Sequence, residues 1–425
     1  MKNGIDLVHN GRRLCRQLAA LIAFVMLATG YARAQGIRDS TLTPIEGITQ
    51  QEDNSGAQDK ERDVIDLFHA LTHYKADLPL YQAQKRNFEF TLVPAGGYTL
   101  QTGFAVLLAA NTLFYLDQED RSITSTALVS LSYTQYRQVI LPVYINLSTK
   151  KYNLISDFRF MDYPSQTFGL GANTKVAEGY SINFSYLKIH QSFLRSVSPN
   201  LFVGAGYYLD HFWNIAETNP PSANTSFKQY GLRSNETASG ISLQGTYDTR
   251  GNQVNPLGGW YASVRYRINT KWMGSTSDWH STILELRKYI RFPKQSPNII
   301  ALWNYNWLTT YGRPPYLLLP STGWDDFFNT GRGYIQGRYR AMNMSYAESE
   351  YRFRLIKNGL LGAVIFANVQ TFSNDLSSQY RKLIPGGGAG LRIKINKHSR
   401  TNLAVDYAFG AEGSRGFFIN LGEVF

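Results

Sequence analysis

His69 and His73 stand four residues apart, which brings two imidazoles to one face of a helix, but no third ligand accompanies them. They are expected on a helix surface and not in a metal centre. His280 and Ser281 pair a base with a nucleophile, yet neighbours on a strand point to opposite faces and cannot share one dyad. The chain contains neither Gly-x-Ser-x-Gly nor His-Glu-x-x-His. No enzymatic activity, cofactor or metal is therefore expected. The charged residues are more informative. Arg332 sits between Gly331 and Gly333, while Glu348, Glu350, Arg352 and Arg354 occupy alternate positions shortly after it. A guanidinium meeting one of those carboxylates would form a bidentate, charge-assisted pair.

The elements that must position these groups follow from composition and period. Aromatic residues make up 14% and charged residues only 17% of 425, against about 25% charged in soluble domains, yet mean hydropathy is −0.28. Such a balance arises when every second residue faces lipid and the others face water. From Phe88 onward the period is two. Val139, Leu141, Val143, Ile145 and Leu147 alternate with polar neighbours, and Leu403, Val405, Tyr407 and Phe409 oppose Asn402, Ala404, Asp406 and Ala408. About sixteen segments of roughly ten residues follow this rule, separated by turns rich in Gly, Asn, Pro and Ser. The expected fold class is all-β, a transmembrane antiparallel β-barrel over residues 88–425. A soluble β-sandwich also alternates, but its outer faces would carry charge where these carry Leu, Val, Tyr and Phe. Long connections near 163–179, 212–237, 311–342 and 372–387 should lie on one rim and tight turns on the other.

The N-terminal part reads differently. Basic residues precede the apolar run from Leu18 to Ala28, and Ala32-Arg-Ala34 has the form of a cleavage site, so residues 1–34 are expected to be an export signal. The only cysteine, Cys15, lies within it. Residues 35–87 form a polar periplasmic linker in which Val64, Leu67, Phe68 and Leu71 mark one short amphipathic helix. Lys2, Arg12, Arg13, Arg16 and Arg33 against Asp6 put +4 in the first 34 residues, leaving +8 of the formal +12. With no clustered basic face, nucleic acid is not an expected partner.

The stretch Tyr247-Asp-Thr-Arg-Gly-Asn-Gln-Val-Asn-Pro-Leu-Gly-Gly-Trp-Tyr261 resembles the Asp-x-Arg, Asn-Pro and Gly turn of the outer-membrane assembly-factor superfamily of BamA and TamA type. Gly331-Arg-Gly-Tyr334 resembles its Val-Arg-Gly-Phe/Tyr loop motif, and Ser349-Glu-Tyr-Arg-Phe353 its Glu-bearing strand. Gly386-Gly-Gly-Ala-Gly-Leu-Arg392, Asp406-Tyr407 and Gly416 to Phe425 complete the order. The resemblance covers about Asp248 to Phe425. It implies a sixteen-stranded barrel in which the loop after the eleventh strand folds inward. Arg332, Gly333 and Tyr334 would then lock against Glu350, with Asn368 standing where the family has an acid, so that the lock could rest on Glu350 alone. It also implies that Asp248, Arg250, Asn255, Pro256 and Gly259 build a periplasmic turn. Phe417, Ile419, Leu421 and Phe425 would share one face of the last strand as a C-terminal insertion signal, with Glu423 near the interface. The periplasmic polypeptide-transport-associated domains usual in that family are expected to be absent.

The function this implies is assistance in inserting or translocating protein, or lipid, at the bacterial outer membrane, through a seam between first and last strands. Pro94, Gly96 and Gly97 near one edge and Gly410, Gly413 and Gly416 near the other would loosen it. The alternative is a passive pore or structural surface barrel without a moving gate. Expected partners are outer-membrane lipids and client outer-membrane or periplasmic accessory proteins.

Overall fold

The computed structural model describes residues 61–64, 66–67, 88–116, 125–373, 379–380, 382–397 and 400–425. The export signal, His69, His73, Phe68 and Leu71 lie outside the described residues. Sixteen antiparallel strands wrap into a nearly closed barrel, each hydrogen-bonded to the next. They are β1 (Phe88–Thr99), β2 (Gly103–Phe114), β3 (Ser125–Thr134), β4 (Val139–Ser148) and β5 (Tyr152–Asp162). Then come β6 (Tyr180–Ser198), β7 (Leu201–Thr218), β8 (Glu236–Asp248), β9 (Gly259–Asn269), β10 (Trp279–Arg291) and β11 (Ile299–Gly312). The last are β12 (Asn343–Arg354), β13 (Leu361–Phe372), β14 (Ile384–Asn396), β15 (Thr401–Gly410) and β16 (Arg415–Leu421). A three-residue continuation of β5, Ser165–Thr167, also pairs with β6.

The alternation sets the two surfaces of the sheet. Leu391 is 54% exposed and Phe409 52%, whereas Asp406 and Glu350 are 0% and 2% exposed. Apolar side chains outside and charges inside invert the arrangement of a soluble protein. Such a wall is stable against hydrocarbon, where an unpaired basic side chain at mid-depth costs about 2–4 kcal/mol. The long loops mark an upper rim, which also carries the tight turns at 100–102 and 135–138, and the opposite, lower rim has mostly short turns, with the ten-residue connection at 249–258 an exception.

The sequence alternation suggests strands over 180–192 and 200–211, whereas β6 runs on to Ser198 at the lower end and β7 to Thr218 at the upper. At the upper end the surroundings of the sheet change. Between Tyr180 and Tyr186 the inward positions are Tyr180, Ile182, Phe184 and Tyr186, and the outward Ser181, Asn183 and Ser185 are polar. Below that level the inward positions become Lys188, His190 and Ser192, while Leu187 and Ile189 face out. At this upper end the hairpin thus follows the rule of soluble sheets. Its apolar inner face packs with Phe212, Phe227, Tyr316 and Leu317 into a buried cluster.

Among the described residues no hydrogen-bonded ladder joins β1 to β16. The two edges approach at the upper rim, where a Cβ added to Gly97 would lie 3.8 Å from Ile419 Cβ and Leu100 packs against Gly416. The last strand ends at Leu421, earlier than its pattern indicates, because the chain turns inward at Gly422 with φ of +99°.

Candidate functional site

Residues 313–342, between β11 and β12, fold into the barrel and are held at two opposite places. At the first, Arg332 is 2% exposed. Its Nη2 reaches both Glu348 and Glu350, and its Nη1 donates to Asp406 Oδ2 at 2.7 Å. The Phe366 ring lies beneath, 3.7 Å from the guanidinium carbon to the ring centroid. Arg352 donates to Glu350 at 2.6 Å, and Arg392 to Asp406 at 2.5 Å and to Glu423 at 2.8 Å. Three guanidinium groups thus share four carboxylates, and the Tyr346 hydroxyl donates to Glu348. The lock does not rest on Glu350 alone. Asn368 takes no part in the ion pairing, since its Nδ2 donates to the Arg332 backbone oxygen at 3.0 Å.

Glycine makes this close approach possible. The inward positions of β14 are Gly386, Gly388 and Gly390; a Cβ on Gly386 would stand 2.7 Å from Asn368 Oδ1 and 3.0 Å from Arg332 O. Gly333, with φ of +103°, lays its backbone against Phe409. The Tyr334 hydroxyl donates to Pro385 O and accepts from the Ala411 amide at 2.7 Å. Gly410 gives its space to the Tyr334 ring, so it serves loop packing. Asp406 was detectable in principle, as an inward acid between the small residues Ala404 and Ala408.

The second anchor has no motif in the sequence. Asp326, at the loop tip, pairs with Arg265 at 2.7 Å and Lys188 at 3.3 Å, while Arg159 donates to its backbone oxygen. Asp157 completes the group at 3.1 Å from Arg159 and 2.6 Å from Lys188. Asp325 shapes the tip by accepting from the amides of Asn329 and Thr330 at 2.9 and 2.7 Å. Alongside lies a cavity of about 70 Å³ lined by Lys188, His190, Asp210, Arg265 and Asp326, room for a few waters. The loop therefore spans the lumen from β12, β13 and β15 to β5, β6 and β9.

The C-terminal residues separate. Phe417 and Leu421 are exposed on the outer wall, and Ile419 is half-buried there. Phe425 does not share their face. It lies inside, stacked on Trp303 at 5.2 Å with Arg352 5.1 Å over its ring. Glu423 is buried among Arg392, Arg352 and Asn402 and is not at the interface. Asn329 of the loop donates to Val424 O at 2.6 Å, so the tail and the loop hold each other.

At the lower rim Arg250 makes two bonds to Asp248, at 2.9 and 2.8 Å, and stacks over Tyr261. Pro256 is buried, and Gly259, with φ of +101°, abuts the Thr249 backbone. Asn255 Nδ2 reaches Arg400 O at 3.5 Å, linking this turn to the one between β14 and β15. Val64, Asp66 and Leu67 are helical, and Asp63 and Asp66 cap one another's amides at 3.1 and 2.9 Å. This segment is fastened to the rim by Glu61 to Arg354 and Lys394, and by Asp66 to Lys397 at 2.7 Å. The hydrogen bond from Lys397 holds the Asp66 carboxyl below its ordinary value, and Asp66 raises Lys397 in return.

His280 donates to or accepts from the Tyr266 hydroxyl at 2.8 Å, on the face opposite the buried Ser281. Among the described residues no three His, Cys, Asp or Glu side chains are placed to hold a metal.

Comparison with protein families finds no match, and comparison with curated proteins finds none. Among solved structures the chain is similar to BamA from Haemophilus ducreyi lacking POTRA domains 1–3, at 14% identity and TM-score 0.51, over 79% of this chain and 69% of that one. It is equally similar to CdiB from Acinetobacter baumannii, at 15% identity and TM-score 0.51, over 80% of this chain and 60% of CdiB. At these identities what is shared is the fold.

Proposed function

We propose that this BamA-like barrel resides in the bacterial outer membrane, lower rim to the periplasm, and assists insertion or translocation of protein, or of lipid, through the seam between β1 and β16. The observation that carries this reading is the seam itself. Every other neighbouring pair of strands shares a ladder, and among the described residues this pair does not. A strand edge with unpaired amides and carbonyls can template an incoming strand. The outer-membrane location rests on the apolar outer wall and the likeness to two outer-membrane barrels. Clients and accessory proteins are proposed by the same analogy.

Gly97 and Ile419 supply the test, because their 3.8 Å Cβ separation suits a disulfide. In a deletion strain, the Gly97→Cys, Ile419→Cys double variant should complement when reduced and lose complementation when oxidised. Full complementation with the seam locked would rule out a moving gate. The braced interior favours a rival, a static surface barrel. Planar bilayers separate them, since a gated seam flickers and a static barrel stays silent, while large steady openings would indicate a pore.

A further inference from the structure

Arg340 lies near the base of the infolded loop and is 1% exposed. The other buried arginines among the described residues, Arg159, Arg267, Arg332, Arg338, Arg352 and Arg392, each hold a carboxylate within 3.1 Å. Arg340 holds none. Its Nη1 donates to Tyr316 O at 2.9 Å, and its guanidinium carbon stands 5.0 Å from the Tyr316 ring and 6.0 Å from the Trp324 ring. Among the described residues the titratable groups that act on it are the phenols of Tyr316 and Tyr180. A charge removed from water is retained when it is paired and hydrogen-bonded.

Three donors here lack a protein acceptor: Arg340 Nε, Trp324 Nε1 and Ser321 Oγ. They belong to one place. Arg340 and Ser321 face each other in an antiparallel bridge, which puts their side chains on the same side. Arg340 Nη2 and Trp324 Nε1 both lie 3.7 Å from the point a Cβ on Gly337 would occupy. Gly337 has φ of +76°, so the backbone itself keeps that point free of a side chain. The Gln166 carbonyl oxygen stands 3.1 Å from the same point, too close for a polyatomic anion seated there.

We propose that Arg340, Trp324 and Ser321 form a binding site for a single halide-sized anion, chloride being the natural candidate, which neutralises Arg340 and fastens the base of the loop. The site is independent of whether the seam opens. Because an anion bound only by the folded chain stabilises it by mass action, thermal unfolding reports occupancy. The purified full chain in detergent is melted in sodium chloride, sodium bromide or sodium gluconate at one ionic strength. The expected result is a saturable rise in midpoint with chloride and bromide and none with gluconate. Arg340→Met should abolish that dependence, and bromide-soaked crystals should give an anomalous peak between Arg340 and Trp324. Trp324→Phe deletes one neutral donor and should weaken halide binding about 3- to 10-fold. An ordered water only, recognised by a halide-independent midpoint and no anomalous peak, overturns the site. Should Arg340→Met fail to fold, unchanged halide affinity in Trp324→Phe overturns it equally.

Discussion

The wall from β12 to β15 and the seam between β16 and β1 are built by opposite means. In the wall, Arg332, Arg352 and Arg392 interlock with Glu348, Glu350, Asp406 and Glu423, and the loop lies in a groove of glycines. At the seam, Gly97 and Leu100 meet Ile419 and Gly416 through apolar contact without a ladder among the described residues. Directional bonds have been concentrated where the loop is held and left out where the sheet would have to part. A barrel with one rigid flank and one compliant edge can open at that edge while the rest keeps its shape.

Removing the loop's principal anchor should break this contrast most severely. Arg332→Ala leaves Glu348, Glu350 and Asp406 buried around two guanidinium groups, and loss of one member of a buried ion cluster costs about 3–5 kcal/mol. The heat-induced transition of the barrel in detergent should fall by several degrees, and an unchanged transition would mean that the cluster does not hold the loop. The second anchor is weaker, because the Asp326 side chain is about a third exposed. Asp326→Asn should cost about 1–2 kcal/mol and loosen the loop tip, read as faster exchange of the Phe327 and Phe328 amides. Equal losses from the two substitutions would show that the anchors do not differ.

The smallest effect belongs to the lower rim. Asp66 is depressed and Lys397 raised, so their pair contributes above the ordinary carboxylate range and below the ordinary lysine range. The contribution is lost as pH falls through the depressed Asp66 value, or rises through the raised Lys397 value. An exposed pair is worth about 0.2–1 kcal/mol. A nitroxide at Leu67 should therefore gain mobility in acid below the ordinary carboxylate range, or in Asp66→Asn at neutral pH, and equal mobility throughout would show that other contacts hold the segment.

The sheet was legible because a membrane barrel writes its inside and outside into alternate residues, as in Leu403 to Phe409. The same rule placed Glu348, Glu350 and Arg352 inward. It failed where the solvent changes. Opposite Tyr180 to Tyr186, where the inward positions turn apolar, the alternation ends β7 at residue 211, seven residues short of Thr218. It failed at the end of the chain, where Gly422 breaks the alternation and turns Phe425 from the outer wall into the lumen. The loop itself has no period, so neither Asp326 nor the orphaned Arg340 could be placed from spacing. A motif pointed to Arg332, but only the folded sheet reveals that residues as distant as Asp406 meet it.

Residue-resolved hydrogen exchange on the full chain in lipid nanodiscs tests the contrast most directly, because it reads local opening strand by strand. Amides of β1 and β16 are expected to exchange orders of magnitude faster than those of β12, β13 and β14. Equal protection at the seam and in the braced wall would contradict the contrast.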